Sequence, residues 1–403
     1  MDAEHGNLLA TIDRTATTHP PTAWLLVDAL RGYLVRTMRV PEWLSALDAA
    51  ERAAASAPED SRGMVQAALA FSRSSLHLLR GRLDRADEAL RQATDHARSA
   101  GWRELEAATT ANRGILAWRR GDLTAAAAHC EAAVSIARAL GLTTVEANAL
   151  GNLATVWLSL GRLRDAADRY GELIGLFARV GSTDGRGHVH QNLSGACRLL
   201  GEFDEAKRHA REAERLYEAA GEIHVENART ALANIHLDLG EYAPARDIAR
   251  AALDRARRHG NPYIEADALD LLASAQRGLG DLHTARELGE ELLGRARELD
   301  NGPIELQARL NLAATELKRG ALVTSIEHAR RALELCRSHH KVIERATATV
   351  LLATATIATG DLVEARRLVV EAERLQRRTG ARLQLDEVRS LLAAPRSRLL
   401  PLR

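Results

Sequence analysis

Aromatic side chains make up only 3% of this 403-residue chain. A core built around large rings is therefore excluded, and the interior must be Ala, Leu, Val and Ile packed closely. Cysteine is nearly absent. The three residues, Cys130, Cys197 and Cys336, show no Cys-x-x-Cys spacing, which excludes a disulfide framework and a thiolate zinc site. Each falls inside a helical pattern and is expected to be a small buried thiol in a reducing compartment. An excess of one charge is missing too, with 55 basic against 54 acidic residues and a formal net charge of +1. Non-specific nucleic-acid binders show a basic excess or stripe, and none is visible. Lysine occurs only at 207, 318 and 341. The longest uncharged stretch, Ala346 to Gly360, has 15 residues and is rich in Thr. A membrane span needs about 20 mostly apolar residues, so a core helix is expected there. The start, Met1-Asp-Ala-Glu-His5, lacks the basic flank and apolar run of a secretory signal, and a cytoplasmic location is expected.

What the chain has instead is a period. Gly-x-(Leu/Phe/Tyr)-x-x-Ala recurs with its glycine at 81, 121, 161, 201, 240, 280, 320 and 360, Ser325 replacing the last Ala once. Every step is 40 residues except one of 39. A fixed period of this size marks a solenoid, in which each unit buries its apolar face against its neighbours. Each unit reads as a helix of roughly 17 residues ending at the turn glycine, where a left-handed backbone angle favours Gly. A second helix follows. It stops at Gly101, Gly141, Gly181, Gly221, Gly260 or Gly380, or at Asp300-Asn301-Gly302 and His340 in the two remaining units. Arginine stands three residues before six of these stops, including Arg98, Arg138 and Arg257. These are expected to be solvated charges at the negative helix end.

Counting back 40 from Gly81 reaches Pro41, with Trp43 and Ala46 at the ring and Ala positions, so a ninth unit is expected without its glycine. Before it, residues 3–16 predict a helix ended by Pro20-Pro21. A second helix is expected from about Thr22 to Met38, and Pro41 at the start of a third. The expected division is 1–21 as an N-terminal capping helix and linker, 22–380 as the repeats, and 381–403 as a C-terminal capping helix and tail. Two further columns are small. Seven residues before each turn glycine stand Ser74, Gly114, Ala154, Ser194, Ala233, Ala273, Ala313 and Ala353. Twelve after it, six of eight residues are Ala, with Leu173 and Leu292 the others. Small residues there let two helix backbones approach.

Small at −7, Gly at 0, a ring or Leu at +2, Ala at +5 and Ala at +12 resembles the tetratricopeptide repeat, in a 40-residue form with an extended second helix. The N-terminal stretch, with Asp2-Ala-Glu-His-Gly-Asn-Leu-Leu-Ala10, Ala23-Trp24 through Gly32-Tyr33, and Trp43-Leu44, resembles the entry into the repeat region of AfsR/SARP-type actinobacterial regulators. The resemblance implies an all-α, right-handed superhelical solenoid of about nine helix pairs with capping helices at both ends. It also implies a sensing or interaction module. The phosphate loop, the helix-turn-helix and the activation unit of that family have no counterpart in these residues.

In such a superhelix the first helices line the concave face, with positions −13, −10, −9 and −6 from the turn glycine facing the groove. The polar residues in these columns are the candidate partner-binding set: Asn112, Asn148, Asn152, His188, Gln191, Asn192, Asn227, Thr230, Asn234, Asp267, Asp270, Gln307 and Asn311. Amides both donate and accept, so they can hydrogen-bond an extended peptide backbone. The competing reading makes Asn112, Asn152, Asn192 and Asn311 an inter-helix ladder or simply solvated groups. No Lys or Arg occupies the columns, so a two-cation clamp for a carboxylate is not expected. A neutral or cationic peptide or protein segment, or a small polar ligand, fits better.

Catalytic signals are weak. His188 and His190 lie on different helix faces, against a shared metal, and only His224 and His236 could approach them across one repeat. His339-His340 reads as a helix-end loop, and Asp267 with Asp270 has no nucleophile or glycine loop beside it. The residues point to a non-catalytic scaffold without cofactor, metal or direct nucleic-acid contact, in regulation or signalling. A small-molecule sensor is the alternative, ahead of a helical-repeat enzyme or nucleic-acid binder.

Overall fold

The computed structural model describes residues 4–37, 40–220, 225–259, 262–382 and 385–393. Among these residues there are twenty helices and no strand. The chain divides into two compact units, Met1–Val156 and Trp157–Arg403.

The first unit begins with α1 (His5–Thr18), α2 (Pro20–Thr37) and α3 (Val40–Ala54). Both prolines of the Pro20-Pro21 pair open α2 instead of separating it from α1. A helix's first-turn amides have no carbonyl partner, so proline costs nothing there. Met38 lies outside the described residues. Trp43, at the ring position of the turn without glycine, is fully buried, and its Nε1 donates to Ser72 Oγ at 3.0 Å. Next come α4 (Glu59–Leu79) with α5 (Leu83–Ser99) and α6 (Arg103–Arg119) with α7 (Leu123–Ala139). The unit boundary falls inside α8 (Thr143–Ser159).

The second unit continues with α9 (Leu163–Val180), then the pairs α10 (Thr183–Leu200) and α11 (Phe203–Ala220), and α12 (Val225–Asp238) and α13 (Tyr242–His259). It goes on with α14 (Pro262–Leu279) and α15 (Leu282–Glu298), α16 (Gly302–Arg319) and α17 (Leu322–Ser338), and α18 (Val342–Thr359) and α19 (Leu362–Thr379). A single helix, α20 (Leu385–Ala393), follows. By length and composition α18 is apolar enough to cross a membrane. It is instead packed between α17 and α19 and touches α20.

The turn chemistry explains the regularity. All eight turn glycines have φ between 67° and 89°. At Gly121 the amide donates to Trp118 O and the next amide to Ala117 O, closing the end of α6. One residue on, Asp122 accepts from Ala125 N at 2.9 Å and starts α7. Asp281 and Asp361 do the same in their turns. A Gly-Asp pair thus ends one helix and begins the next. Where glycine is missing from the second stop, Asp300 and His340 hold the angle, with φ of 47° and 53°. They are the only non-glycine residues of positive φ among the described residues. Gly221 and Gly260 lie outside the described residues.

The small columns are where helices meet. Every residue at −7, +5 and +12 is buried. A methyl group on Gly114 would lie 2.6 Å from Cys130 Sγ. Ser194 Oγ, at −7, donates to the +5 carbonyl of Ala206 at 2.8 Å, and Ser325 Oγ, at +5, donates to the −7 carbonyl of Ala313 at 2.8 Å. A hydroxyl on either side can therefore satisfy its partner's carbonyl at the point of closest approach. Three of the helix-end arginines are not merely solvated. Arg98, Arg138 and Arg257 each reach the glutamate eight residues on, Glu106, Glu146 and Glu265, tying a second helix to the next first helix.

The second unit closes on itself. A Cβ on Gly161 would lie 2.5 Å from Thr379 Cγ2. Beyond α19, Arg382 N donates to Leu199 O at 2.8 Å, and its guanidinium lies over the Phe203 ring. The end of the repeats thus touches the edge formed by the α8–α9 and α10–α11 turns.

Candidate functional site

Closure leaves a cavity of roughly 900 Å³ inside the second unit. Its wall is made by the first helices of four successive pairs, α12, α14, α16 and α18, with α20 on the far side. The −13, −10, −9 and −6 columns supply Asn234, Asp270, Ser274, Gln307, Asn311 and Thr354 on the polar part. The same columns supply Leu310, Val350 and Leu351 on the apolar part, continued by Val388 and Leu391 of α20. The polar groups come from all four of these helices, with Asp270, Ser274, Arg277 and Asn311 gathered where α14 meets α16, and the aliphatic ones come mostly from α16, α18 and α20. The cavity therefore has a polar end and an apolar end.

At the polar end one asparagine joins two helices. Asn311 is 4% exposed. Its Nδ2 donates across to Asp270 O at 2.9 Å, Asp270 Oδ1 at 3.0 Å and Ser274 Oγ at 3.0 Å. Its Oδ1 accepts from Arg277 Nη1 at 2.6 Å, and Arg277 Nη2 reaches Ser274 Oγ at 3.2 Å. For Asn311 the ladder reading is the one the geometry supports: its amide is already committed to α14. Burial pushes the Asp270 carboxyl above the usual range, against the Asn311 hydrogen bond, and lowers Arg277 from its usual value. Tyr242, at the turn's ring position, lies on Gly278, where no Cβ would fit.

The cavity also contains cations, contrary to the expectation from the four columns. Arg277 and Lys318 stand at −3 and −2 of their turns, and Arg382 follows α19. The signal was one turn further along each first helix. The helix still faces the groove there, beyond the four columns.

The other candidate residues are dispersed. In the first unit, Asn112 and Asn152 are half-buried and Asn148 is exposed; none makes a side-chain hydrogen bond among the described residues. In the second unit Asn192 is likewise half-buried and unbonded among the described residues. His188 and Gln191 are both engaged by Tyr217 Oη, at 2.9 and 3.1 Å, and His188 also meets Asp184 at 3.2 Å. Thr230 donates to Asn227 O and Asn234 Nδ2 to Thr230 O, along their own helix. Asp267 is solvent-exposed but set in the concave wall; withheld water, then Asp270, pushes its carboxyl up to about 6, and its exposure argues for a smaller shift.

The histidines pair differently from the expected arrangement. His190 meets His209 of α11, Nδ1 to Nδ1 at 2.8 Å, while His236 binds Glu241. His224 lies outside the described residues. No group of three or more His, Cys, Asp or Glu placed to hold a metal occurs among the described residues. All three cysteines are buried and free, and desolvation pushes the Cys130 and Cys336 thiols up to about 12 and Cys197 to about 11.

A family model of the tetratricopeptide repeat matches residues 226–259, the span of α12 and α13. The fold is that of a tetratricopeptide-repeat solenoid. The Rap conjugation gene regulator of plasmid pLS20, solved with a Phr peptide, is similar at a TM-score of 0.59 and 13% identity, over 81% of this chain and 98% of that one. The apo quorum sensor NprR from B. thuringiensis is similar at 0.58 and 14%, over 77% and 86%. A signal transduction ATPase with numerous domains and a tetratricopeptide repeat sensor, from Pyrococcus horikoshii, is similar at 0.52 and 15%, over 85% of this chain and 53% of that one. No curated protein sequence matches the chain. At these identities the likeness concerns the fold alone.

Proposed function

We propose that this tetratricopeptide-repeat chain is a non-catalytic cytoplasmic sensor that binds a short peptide, or an extended protein segment, in the groove of its second unit. The carrying observation is the cavity of roughly 900 Å³ on the first-helix columns of four successive pairs. That size is at the upper end of pockets that enclose small ligands, about 300–1,000 Å³, and too small for a folded domain. Its amides can satisfy a peptide backbone and its aliphatic end can bury side chains. Structural neighbours were solved with peptides, among them a Rap protein with competence and sporulation factor and the pLS20 regulator with its Phr peptide. The N-terminal residues resemble the entry into the repeat region of AfsR/SARP-type regulators, which supports transcriptional regulation or signalling as the setting. We read 22–380 as the sensing array and 1–21 and 381–403 as its ends.

The test is affinity selection. The full chain is incubated with a pool of randomised hexapeptides, separated by gel filtration, and the retained peptides are counted by mass spectrometry. Wild type is expected to retain a subset, and Ala314→Trp, which fills the cavity, to lose at least about tenfold of it with its melting temperature unchanged. Equal retention by the filled variant would place binding elsewhere and overturn the reading.

A further inference from the structure

Outside the groove, α19 carries an unbalanced charge. It is a second helix and takes no part in the cavity wall. Arg366, Arg374 and Arg378 are exposed and make no ion pair or side-chain hydrogen bond among the described residues. The helix's own acids are taken. Glu364 is joined to Arg367 at 2.5 Å, Glu371 to Arg345 of α18 at 2.6 Å and Glu373 to Arg389 at 2.8 Å. Other second helices neutralise arginines with a carboxylate three or four residues away, as in Arg91–Glu88, Arg215–Glu212, Arg286–Glu290 and Arg331–Glu334. Arg366 has only Leu362, Val363, Val369 and Val370 at those spacings, and Arg378 has Arg374 and Leu375 before it. Arg374 and Arg378 are therefore like charges on adjacent turns, which oppose each other within the helix.

Arg366, Val370, Arg374 and Arg378 follow one another at four-residue steps. They form one ridge along the helix, rising about 6 Å per step. The ridge borders a cleft of roughly 580 Å³ whose lining includes the buried Leu375. Val370 is 44% exposed, and Val363, seven residues earlier on the same face, is 81% exposed. An aliphatic patch set among arginines has the composition of a protein contact, in which arginine is enriched and the centre is apolar. It does not suit nucleic acid. Among the described residues no aromatic ring lines the cleft to stack on a base. Glu371 stands in its wall, where a phosphate backbone would have to approach.

We propose that this ridge docks an acidic amphipathic helix of a partner protein. Carboxylates at the same four-residue spacing meet Arg366, Arg374 and Arg378, and one aliphatic side chain covers Val370. Each guanidinium can donate two parallel hydrogen bonds to a carboxylate. Packed antiparallel, so that opposite helix dipoles lie side by side, the partner reads Glu-x3-Glu-x3-Leu-x3-Glu, the order of the ridge reversed. This surface acts independently of the groove.

The experiment uses the full chain and fluorescent peptides of about eighteen residues, long enough to form a helix, with binding read by anisotropy. One peptide carries the pattern above on an alanine background. A second has glutamine in place of its three glutamates, and a third has the same composition with the glutamates spread around the helix. The first should bind at least about tenfold more tightly than either of the others. Arg366→Gln/Arg374→Gln/Arg378→Gln should lose at least about tenfold, with circular dichroism unchanged because all three side chains are exposed. Val370→Ser should weaken binding about threefold; no loss overturns the aliphatic contact. Ala314→Trp, which fills the groove, should bind as wild type does, and a loss there would place the peptide in the groove and overturn the ridge as its site. Failure of the patterned peptide to bind, equal binding of the spread peptide, or no loss in the triple variant overturns the docking site. Oligo-thymidylate bound as tightly as the acidic helix overturns a protein as the partner.

Discussion

Acidification should destabilise the second unit through one buried pair. His190 and His209 are 7% and 6% exposed, and their Nδ1 atoms are 2.8 Å apart. Only one hydrogen fits between them, so one ring carries its proton on Nδ1 and the other on Nε2. A further proton would place two donors face to face and bury a charge. Desolvation is the main cause of the lowering of His190 from 6.5 to about 4, followed by His209; Arg186 and Arg208 add to it and Glu212 opposes it. His209 is lowered by burial and then by Arg208, against Glu205 and Glu212. Because the folded-state values lie below the unfolded ones, the unfolded chain takes up protons first. Stability is therefore complete above pH 6.5 and falls as pH drops towards 4. For His190 alone the loss is about 2 kcal/mol at pH 5 and approaches about 3 kcal/mol at pH 4. The check is urea unfolding followed by circular dichroism at pH 7.5 and 5.0, for wild type and for His190→Gln/His209→Gln. The double variant subtracts the titration of the surface carboxylates. Wild type should lose at least about 2 kcal/mol more than the variant between the two values. An equal loss would show that the pair does not titrate in the folded chain.

Two further outcomes follow from the packing. Gly141→Ala and Gly161→Ala both place a side chain at positive φ, at a cost of about 1–2 kcal/mol. Only the second also meets Thr379, so it should cost more in chemical denaturation, and Thr379→Ser, which removes Cγ2 but keeps the hydroxyl bonded to Leu375 O, should recover the excess. Glu146→Gln, in an exposed ion pair with Arg138, should cost under about 1 kcal/mol. Glu265→Gln, 7% exposed and shared by Arg257 and Arg295, should cost about 2 kcal/mol in the same measurement.

The period was legible because its causes are local. A left-handed residue is needed wherever a helix ends and the chain must turn at once, and that requirement returns every 40 residues. Even the exceptions are readable by position: Asp300 and His340 stand at the expected places and carry the same backbone angle. The small columns follow from the same counting. Some local signals lie outside the turn period and the four columns. Arg98, Arg138 and Arg257 each precede a glutamate by eight residues, a spacing that spans the second stop and joins two helices. Arg277 and Lys318 stand three and two residues before their glycines, in a stretch of first helix that the four chosen columns leave out. Asn311 stands in a column, but its commitment to Asp270 and Ser274 is not readable from the sequence, since an amide in a groove column looks the same whether it meets water or the neighbouring helix.

The choice of site was not legible, and the reason is geometric. The columns offer eight equivalent rows of groove-facing residues. By composition the amide-rich rows around Asn152, Gln191 and Asn192 are better candidates than the mixed rows of α16 and α18. What singles out the last four is closure. The small rotation from each pair to the next accumulates until Thr379 meets Gly161, Arg382 meets Leu199, and Val388 and Leu391 of α20 cover the far side of the rows from α12 to α18. No short-range pattern encodes that meeting, because each pair contacts only its neighbours while the sum of the rotations decides which ends touch. The same closure adds α20's aliphatic wall and Arg382 to rows, part amide and part aliphatic, that the repeats alone would leave open.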